Sequence, residues 1–413
     1  MALDVDAIRA RIPALKSGSA RFDAPGGTQT PQPVIDAIAE TLSRPLANRG
    51  RTTEGERDAD DTVADARAAL ADLLGAEPRG VVFGRSATQL AYDLSRTLAK
   101  GWGPGDEVVV TRLDHDSNIR PWVQAAEAVG ASVRWADFDP ATGELRPEHV
   151  AAVLSARTRL VAVTAASNLI GARPDLPAIA ALAHEAGALL HVDAVHYASH
   201  AAVDLAALGA DTLVCSPYKF LGPHLGVLAA RPEFLATLRP DKLLPSSDAV
   251  PERFELGTLP YELLAGARAA VDFLAELAPG AGGTRRERLV ASFAALAEHE
   301  DALRERIELG LAEIGGITVY SRGRAAHPDP AVHGGGPAVG RGLPAPGRPR
   351  RRRPGRYVLR AGGLAAARSG RRGRRTGGAR AVQLRGGRGP AAGGAGGAGA
   401  LNRACSTADA SMR

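Results

Sequence analysis

The sequence predicts an α/β fold: a mostly parallel seven-stranded sheet with helices on both faces. Seven short apolar runs begin near residues 81, 107, 132, 159, 188, 212 and 225. Most are separated by segments with helical spacing of apolar residues, the pattern of strands joined by crossover helices. The runs at 188–192 and 212–215 are nearly continuous in apolar residues, as expected of strands buried on both faces. The last two runs are joined by a short turn and are expected to pair antiparallel.

Taken in order, residues 5–16 read as a short amphipathic helix, and Phe22 to Thr28 as a strand end and turn. Val34, Ile35, Ile38 and Leu42 mark a helix over 31–42. Residues 48–56 are polar and read as a loop, followed by a helix over 60–74 that Gly75 ends. The strand 81–83 runs into Gly84-Arg85-Ser86-Ala87-Thr88, which opens a helix to about Lys100. Free N–H groups and the helix dipole make such a turn an anion site; Ser and Thr there also serve as plain N-caps. The strand 106–111 leads into a loop carrying His115, with Asn118 placed to cap the next helix. Strands 132–136 and 159–164 follow, the latter ending at Ala166-Ser167-Asn168, and then a helix over 174–186. Residues 260–277 read as helical. Thr284-Arg-Arg-Glu287 is a capping box. It opens a long helix with Leu289, Phe293, Leu296, Leu303, Ile307, Leu311 and Ile314 on one side, before a strand that begins at 317–320.

The chemistry concentrates between Leu189 and Gly226. Asp193 ends one buried strand, and Lys219 sits on the loop after the next. Both face the crevice at the carboxyl ends of the strands, where α/β sheets bind ligands. Ser216, Pro217, Gly222 and Pro223 fix the turns around Lys219. The chain has only four lysines, Lys16, Lys100, Lys219 and Lys242, and uses arginine almost everywhere else. A lysine kept in this setting points to a need for its amine, since arginine cannot form a Schiff base.

Asp193-Ala-Val-His196 and Ser216-Pro-Tyr-Lys219, with Gly222-Pro223 after it, resemble the class V aminotransferase family and its cysteine desulfurase-like branch. Tyr218 stands where the family usually has His. The resemblance runs from about residue 20 to about 320. It implies fold-type I architecture and pyridoxal 5'-phosphate (PLP) held on Lys219 as an aldimine, with Asp193 at the pyridine nitrogen. It further implies that His115 stacks on the ring, that His196 meets the ring hydroxyl, and that Ser86, Ala87, Thr88, Ser216 and Tyr218 hold the phosphate. Residues 22–28 would form part of the active-site rim, residues 48–56 the loop at its mouth, and Asn168 would contact cofactor or substrate. Thr258, in Gly257-Thr258, would reach the cofactor of a neighbouring subunit in a homodimer with shared sites. Plainer readings stay open beside these: a loop histidine at 115, a turn-stabilising Asn168, a helix-start turn at 257–258. The implied activity is PLP-dependent and desulfurase-like, on an amino acid as small-molecule substrate. Aminotransferase or epimerase chemistry is the alternative, because no catalytic cysteine can be placed. Cys215 falls in a buried strand, and Cys405 lies near the end. No metal is expected.

Composition adds limits. Two cysteines make no disulfide framework. The acidic start shows no signal-peptide pattern, and no apolar run is long enough to span a membrane; a soluble cytoplasmic protein is expected. From Arg324 onward lie 19 Arg and only two acids, Asp329 and Asp409, so this stretch carries +17 and the rest −11. Residues 1–20 are read as an N-terminal segment, 21–280 as a large cofactor-binding domain, 281–323 as a long helix and the start of a small domain, and 324–413 as an aberrant tail. In the tail Arg, Gly, Ala and Pro dominate and Ile, Phe and Trp are absent. Gly394 to Gly399 matches a dinucleotide fingerprint in letters only, since no strand precedes it.

A shifted reading frame in a GC-rich gene would produce this composition. His327-Pro-Asp-Pro330 can be encoded so that a one-base shift reads Thr-Pro-Thr-Pro, close to the Arg-Thr-Pro-Thr common in the related branch. The chain would then be an inactive relative with an incomplete small domain. The other reading is an evolved basic tail that binds nucleic acid through phosphate contacts, although nucleic acid is not the expected partner. Resequencing is expected to reveal a frame change near codon 327; one uninterrupted frame, repeated in an independent isolate, would contradict it.

Overall fold

In the computed structural model the described residues are 3–320 and 331–334. The chain falls into two units, Met1–Ala367 and Arg368–Arg413, and every described residue belongs to the first. The tail assigned to 324–413 therefore lies outside the described residues except for 331–334.

Seven strands form one sheet: β1 Val81–Gly84, β2 Glu107–Thr111, β3 Ser132–Ala136, β4 Thr158–Thr164, β5 Leu189–Asp193, β6 Thr212–Cys215 and β7 Gly226–Ala230. Their spatial order is β1-β7-β6-β5-β4-β2-β3. Only β7 runs against the others, pairing antiparallel with β1 and β6, as the short turn before it predicts. A two-stranded antiparallel ladder follows, β8 Ile317–Tyr320 with β9 Ala331–Gly334.

The side-chain period of two splits each strand between two cores. Val81, Phe83, Val109, Val161, Val163, Leu190, Val192, Leu213 and Val227 face one layer, with Leu70, Leu73, Leu74, Ile179 and Leu289 from the covering helices. Val82, Val108, Val110, Leu160, Ala162, Val214 and Leu228 face the other, with Leu90, Leu94, Leu98, Trp122 and Val123. Burying a leucine of this kind contributes about 1.5–3 kcal/mol, so two filled faces hold the sheet with few aromatics.

Three sequence expectations change. The helix over 5–16 is two pieces, Val5–Ala10 and a 3-10 turn Pro13–Ser17, because Pro13 cannot continue an α-helix. The loop over 48–56 ends early: the helix runs Glu54–Leu74, started by a capping box between Thr53 and Glu56 and ended by Gly75 at φ +58°. The long helix Arg285–Ala312 buries Leu289, Phe293 and Leu296, whereas Ile314 just beyond it is exposed. Arg286 fastens its first turn by donating to the carbonyls of Asp72, Leu73 and Val203.

The topology sets where a ligand can sit. The connection after β2 leads outward to β3, while that after β4 leads the other way to β5. The ends of the neighbouring strands β2 and β4 therefore open a crevice at a topological switch point. The ends of β5, β6 and β1 lie along the same edge, since β1 and β6 both run against β7.

A buried ion pair fixes the loop that leads to Thr258. Arg67 donates to both oxygens of Glu255 at 2.9 and 3.0 Å, and the N–H of Phe83 donates to Glu255 at 2.9 Å. Removing one partner strands a buried charge. E255A is expected to lose about 3–5 kcal/mol of stability in denaturant unfolding; a loss below about 1 kcal/mol would show that the pair carries no weight.

Candidate active site

Lys219 lies in a 3-10 turn, Pro217–Lys219, directly after β6. A segment far away in sequence shapes it. The N–H and hydroxyl of Thr28 both donate to the Tyr218 carbonyl at 3.0 Å, and Leu221 N–H donates to the Thr28 hydroxyl at 2.7 Å. Leu221 is held at φ +72°, a region non-glycine residues rarely occupy. The Lys219 ammonium donates to the Pro25 carbonyl and lies 4.8 Å from the centre of the Tyr218 ring. Tyr218 stacks on His224 at 4.8 Å, and a side chain at Gly27 would press on the Tyr218 ring at 3.3 Å.

Asp193, at the end of β5, is buried. Burial pushes its carboxyl pKa up, while the Val195 N–H and the charges of His115 and Lys219 oppose that shift. The Val195 bond is 2.9 Å. Asp193 in turn acts with burial to raise the Tyr218 phenol. Four predicted residues, Asp193, Lys219, His115 and Tyr218, therefore share one electrostatic site.

His115 is exposed on the loop after β2, and its Nδ1 accepts from the Ser117 N–H at 3.1 Å. Asn118 does not cap the next helix. It is buried, donates to Asp114 at 2.7 Å and accepts from the Trp122 indole at 3.1 Å. Trp122 also packs 4.8 Å from the ring of His191, whose pKa burial lowers to about 3. A side chain enclosed between a carboxyl and an indole has no reach left for a helix end.

The turn after β1 starts helix Ala87–Ala99, with Ser86 accepting from the Gln89 N–H at 3.1 Å. The plain N-cap is thus present. The N–H groups of Ala87 and Thr88 have no acceptor within their own helix, as in any first turn. A Cβ at Gly226 would fall 2.2 Å from the Ser86 carbonyl carbon, so only glycine lets the start of β7 lie this close to that turn.

Ser216 is buried, and its carbonyl accepts from Lys219 N–H at 3.0 Å. His196 is buried edge-on to His200, centroids 5.3 Å apart, and His200 bonds Glu300 of the long helix at 3.0 Å. Asn168 is half-buried beyond the end of β4. Thr258 is exposed, with its hydroxyl 3.4 Å from Asn48. Cys215 is buried, and burial together with Asp193 pushes its thiol pKa up, so it is poor in nucleophilic thiolate.

The resemblance places residues 22–28 at the rim of the site, and Pro25 and Thr28 of that stretch hold the Lys219 turn; sequence reasoning missed Asp114. Asp114 is next to the chosen His115 and four residues from Asn118, a helical spacing that hints at contact. Pro25 meets Lys219, and Thr28 meets Tyr218 and Leu221, only through tertiary folding.

The sequence pattern of the family described as Aminotransferase class-V matches residues 21–332. The chain belongs to the class V aminotransferase family. Its cysteine desulfurase-like branch is supported by a cysteine desulfurase from Enterobacter sp. strain 638, 30% identical over 78% of this chain and 80% of that protein. A Mycobacterium tuberculosis (strain CDC 1551 / Oshkosh) protein of unassigned activity is 37% identical over 71% of this chain and 73% of its own length. The apo cysteine desulfurase of Thermococcus onnurineus NA1 superposes with a TM-score of 0.72 at 25% identity, covering 81% of this chain and 83% of that one. This member of the class V aminotransferase family therefore has the fold-type I architecture of cysteine desulfurases. In it a primary amine, a buried carboxyl and a helix N-terminus converge on one sheet edge. Among the described residues no His, Cys, Asp and Glu cluster could hold a metal, and no helix is long and apolar enough to cross a membrane.

Proposed function

We propose that the chain is a PLP-dependent enzyme acting on an amino acid, desulfurase-like in type. One observation carries this reading: Lys219 and Asp193 stand at the ends of adjacent strands, within electrostatic reach of each other. The donor set fits PLP, which brings an aldehyde for a lysine amine, a ring nitrogen for a carboxylate and a phosphate for a helix N-terminus. When bound, PLP supplies an electron sink for charge developing at the substrate Cα.

The chain's own residues do the rest. Lys219 anchors the cofactor and, once released, moves the Cα proton. Asp193 keeps the ring nitrogen protonated, a role that requires the negative charge favoured by its cationic neighbours. His115 covers the ring and relays protons. His196 meets the ring hydroxyl. Ser86, Ala87 and Thr88 receive the phosphate through hydroxyls and N–H groups, aided by Ser216 and Tyr218. Asn168 lines the mouth, and exposed Thr258 would complete the site of a partner subunit in a cytoplasmic homodimer. Residues 21–280 would form the cofactor domain and 281–323 the start of the small domain.

Burial of Cys215 favours a second reading. If no other thiol reaches the substrate, Lys219 alone could still support epimerisation, which needs only proton transfers at Cα, or transamination, which would also need that proton passed on to the cofactor and water to release the keto acid. Cys405 lies outside the described residues.

The test is the visible spectrum of the full-length protein with PLP, before and after borohydride. Wild type should retain about one equivalent of reduced cofactor after denaturation, and K219A none. Retention by K219A would remove Lys219 from its role. With cysteine and an added thiol reductant, alanine together with sulfide supports desulfuration, the reductant supplying the two electrons that turn the released sulfur into sulfide, whereas a spectral change without alanine or sulfide supports the second reading.

A further inference from the structure

His224 closes the turn that carries Lys219, and no step above uses it. The turn brings it back to Tyr218. The Pro217 carbonyl accepts from the N–H groups of Phe220 and Gly222, each at 2.8 Å. Leu221, at φ +72°, reverses the chain. Gly222 packs so closely that a Cβ there would lie 2.7 Å from the Pro217 Cβ. Phe220 and Leu225 are buried and anchor the turn before and after the reversal. His224 itself stays exposed and lays its imidazole on the Tyr218 ring, centroids 4.8 Å apart and planes within 15° of parallel.

Tyr218 in turn meets the amine. The Lys219 ammonium lies 4.8 Å from the centre of the Tyr218 ring, a distance at which the π face attracts a cation. The ring can hold that cation only while its plane is fixed. Thr28 pins the Tyr218 carbonyl, and Gly27 lies beside one edge of the ring. Neither contact stops the side chain turning about its own bonds. The stack on His224 is the contact that defines a plane. The other groups around the amine come from different elements. The Pro25 carbonyl accepts from it, and Asp23 is the N-cap of the same 3-10 turn. Asp193, at the end of β5, attracts it by charge, and His115 acts on that same carboxyl. None of these sets the orientation of the Tyr218 ring.

We propose that His224 is a positioning residue that, by stacking on Tyr218, fixes this ring as the resting place of the Lys219 ammonium before a cofactor arrives. The inference rests on the PLP reading for its purpose, but not for its geometry. The two tasks of Tyr218 then use different atoms: the ring face meets the amine, and the phenol oxygen is left for a phosphate. A ring face beneath the amine favours its charged form. Phenylalanine at 224 can stack as imidazole does, whereas alanine leaves the Tyr218 ring open to water on that face.

The experiment labels the lysines of the full-length protein with acetic anhydride from pH 7 to 10.5, after hydroxylamine and dialysis have freed every amine. Peptide mass spectrometry reads each lysine separately. Only the uncharged amine reacts, and exposed Lys16 is the internal reference. At pH 7–8, H224A should raise the Lys219-to-Lys16 ratio about threefold over wild type, the size of an exposed cation–π contact. Towards pH 10.5 the excess should shrink, because the amine is then losing its charge in both proteins. A ratio raised equally at every pH reports only an opened site and overturns the proposal. H224F should stay within about 1.5-fold of wild type throughout. Y218L should match H224A, and the double variant H224A/Y218L should add nothing to Y218L, because the two act through one contact. An unchanged H224A, an H224F raised as far as H224A, or an additive double variant also overturns it. The labelling uses no PLP, so a protein that never retains PLP refutes the cofactor reading and leaves the result on His224 standing.

Discussion

A carboxyl buried at the end of a central strand must either give up its charge or be met by positive charge. Asp193 is that carboxyl, and much of the site is explained by how it is met. Lys219 reaches it from the loop after β6, and His115 from the loop after β2. Each of those loops is in turn held by residues remote in sequence: Thr28 bonds the lysine turn, and Asp114 with Asn118 holds the histidine loop to Trp122. The cost of burying one charge thus propagates outward into the positions of two loops and a segment near the N-terminus.

The sheet makes this arrangement possible. Because β2 and β4 send their connections in opposite directions, no crossover helix closes the space above their ends. The strand ends there place Thr164 in register with Asp193, and β7, reversed against its neighbours, brings Gly226 against the turn that starts the helix at Ala87. The amine, the carboxyl and the helix N-terminus are brought to one edge by strand order alone.

Much of this was legible in the sequence, and the failures are physical. Near-continuous apolar runs announced seven strands, and the short turn before β7 announced its antiparallel pairing. Lys219 stood out because lysine is rare in an arginine-rich chain. The helix start at Glu54 was missed because a capping box of polar residues looks like a loop until Thr53 and Glu56 are seen to bond each other. Asn118 was read as a cap because Asn favours helix starts; its burial between Asp114 and Trp122 depends on where β4 lies, which local pattern does not encode. Asp114 was passed over for the same reason, since an acid beside a loop histidine looks solvated until its neighbours enclose it.

The central claim is that the crevice at the ends of β5 and β6 holds PLP between Lys219 and Asp193. A crystal structure of the full-length protein grown with PLP tests it most directly. The account predicts density continuous with the Lys219 side chain, the pyridine nitrogen within hydrogen-bond distance of the Asp193 carboxylate, and the phosphate at the start of the helix at Ala87. PLP bound elsewhere, or a crevice that stays empty at saturating cofactor, would contradict it.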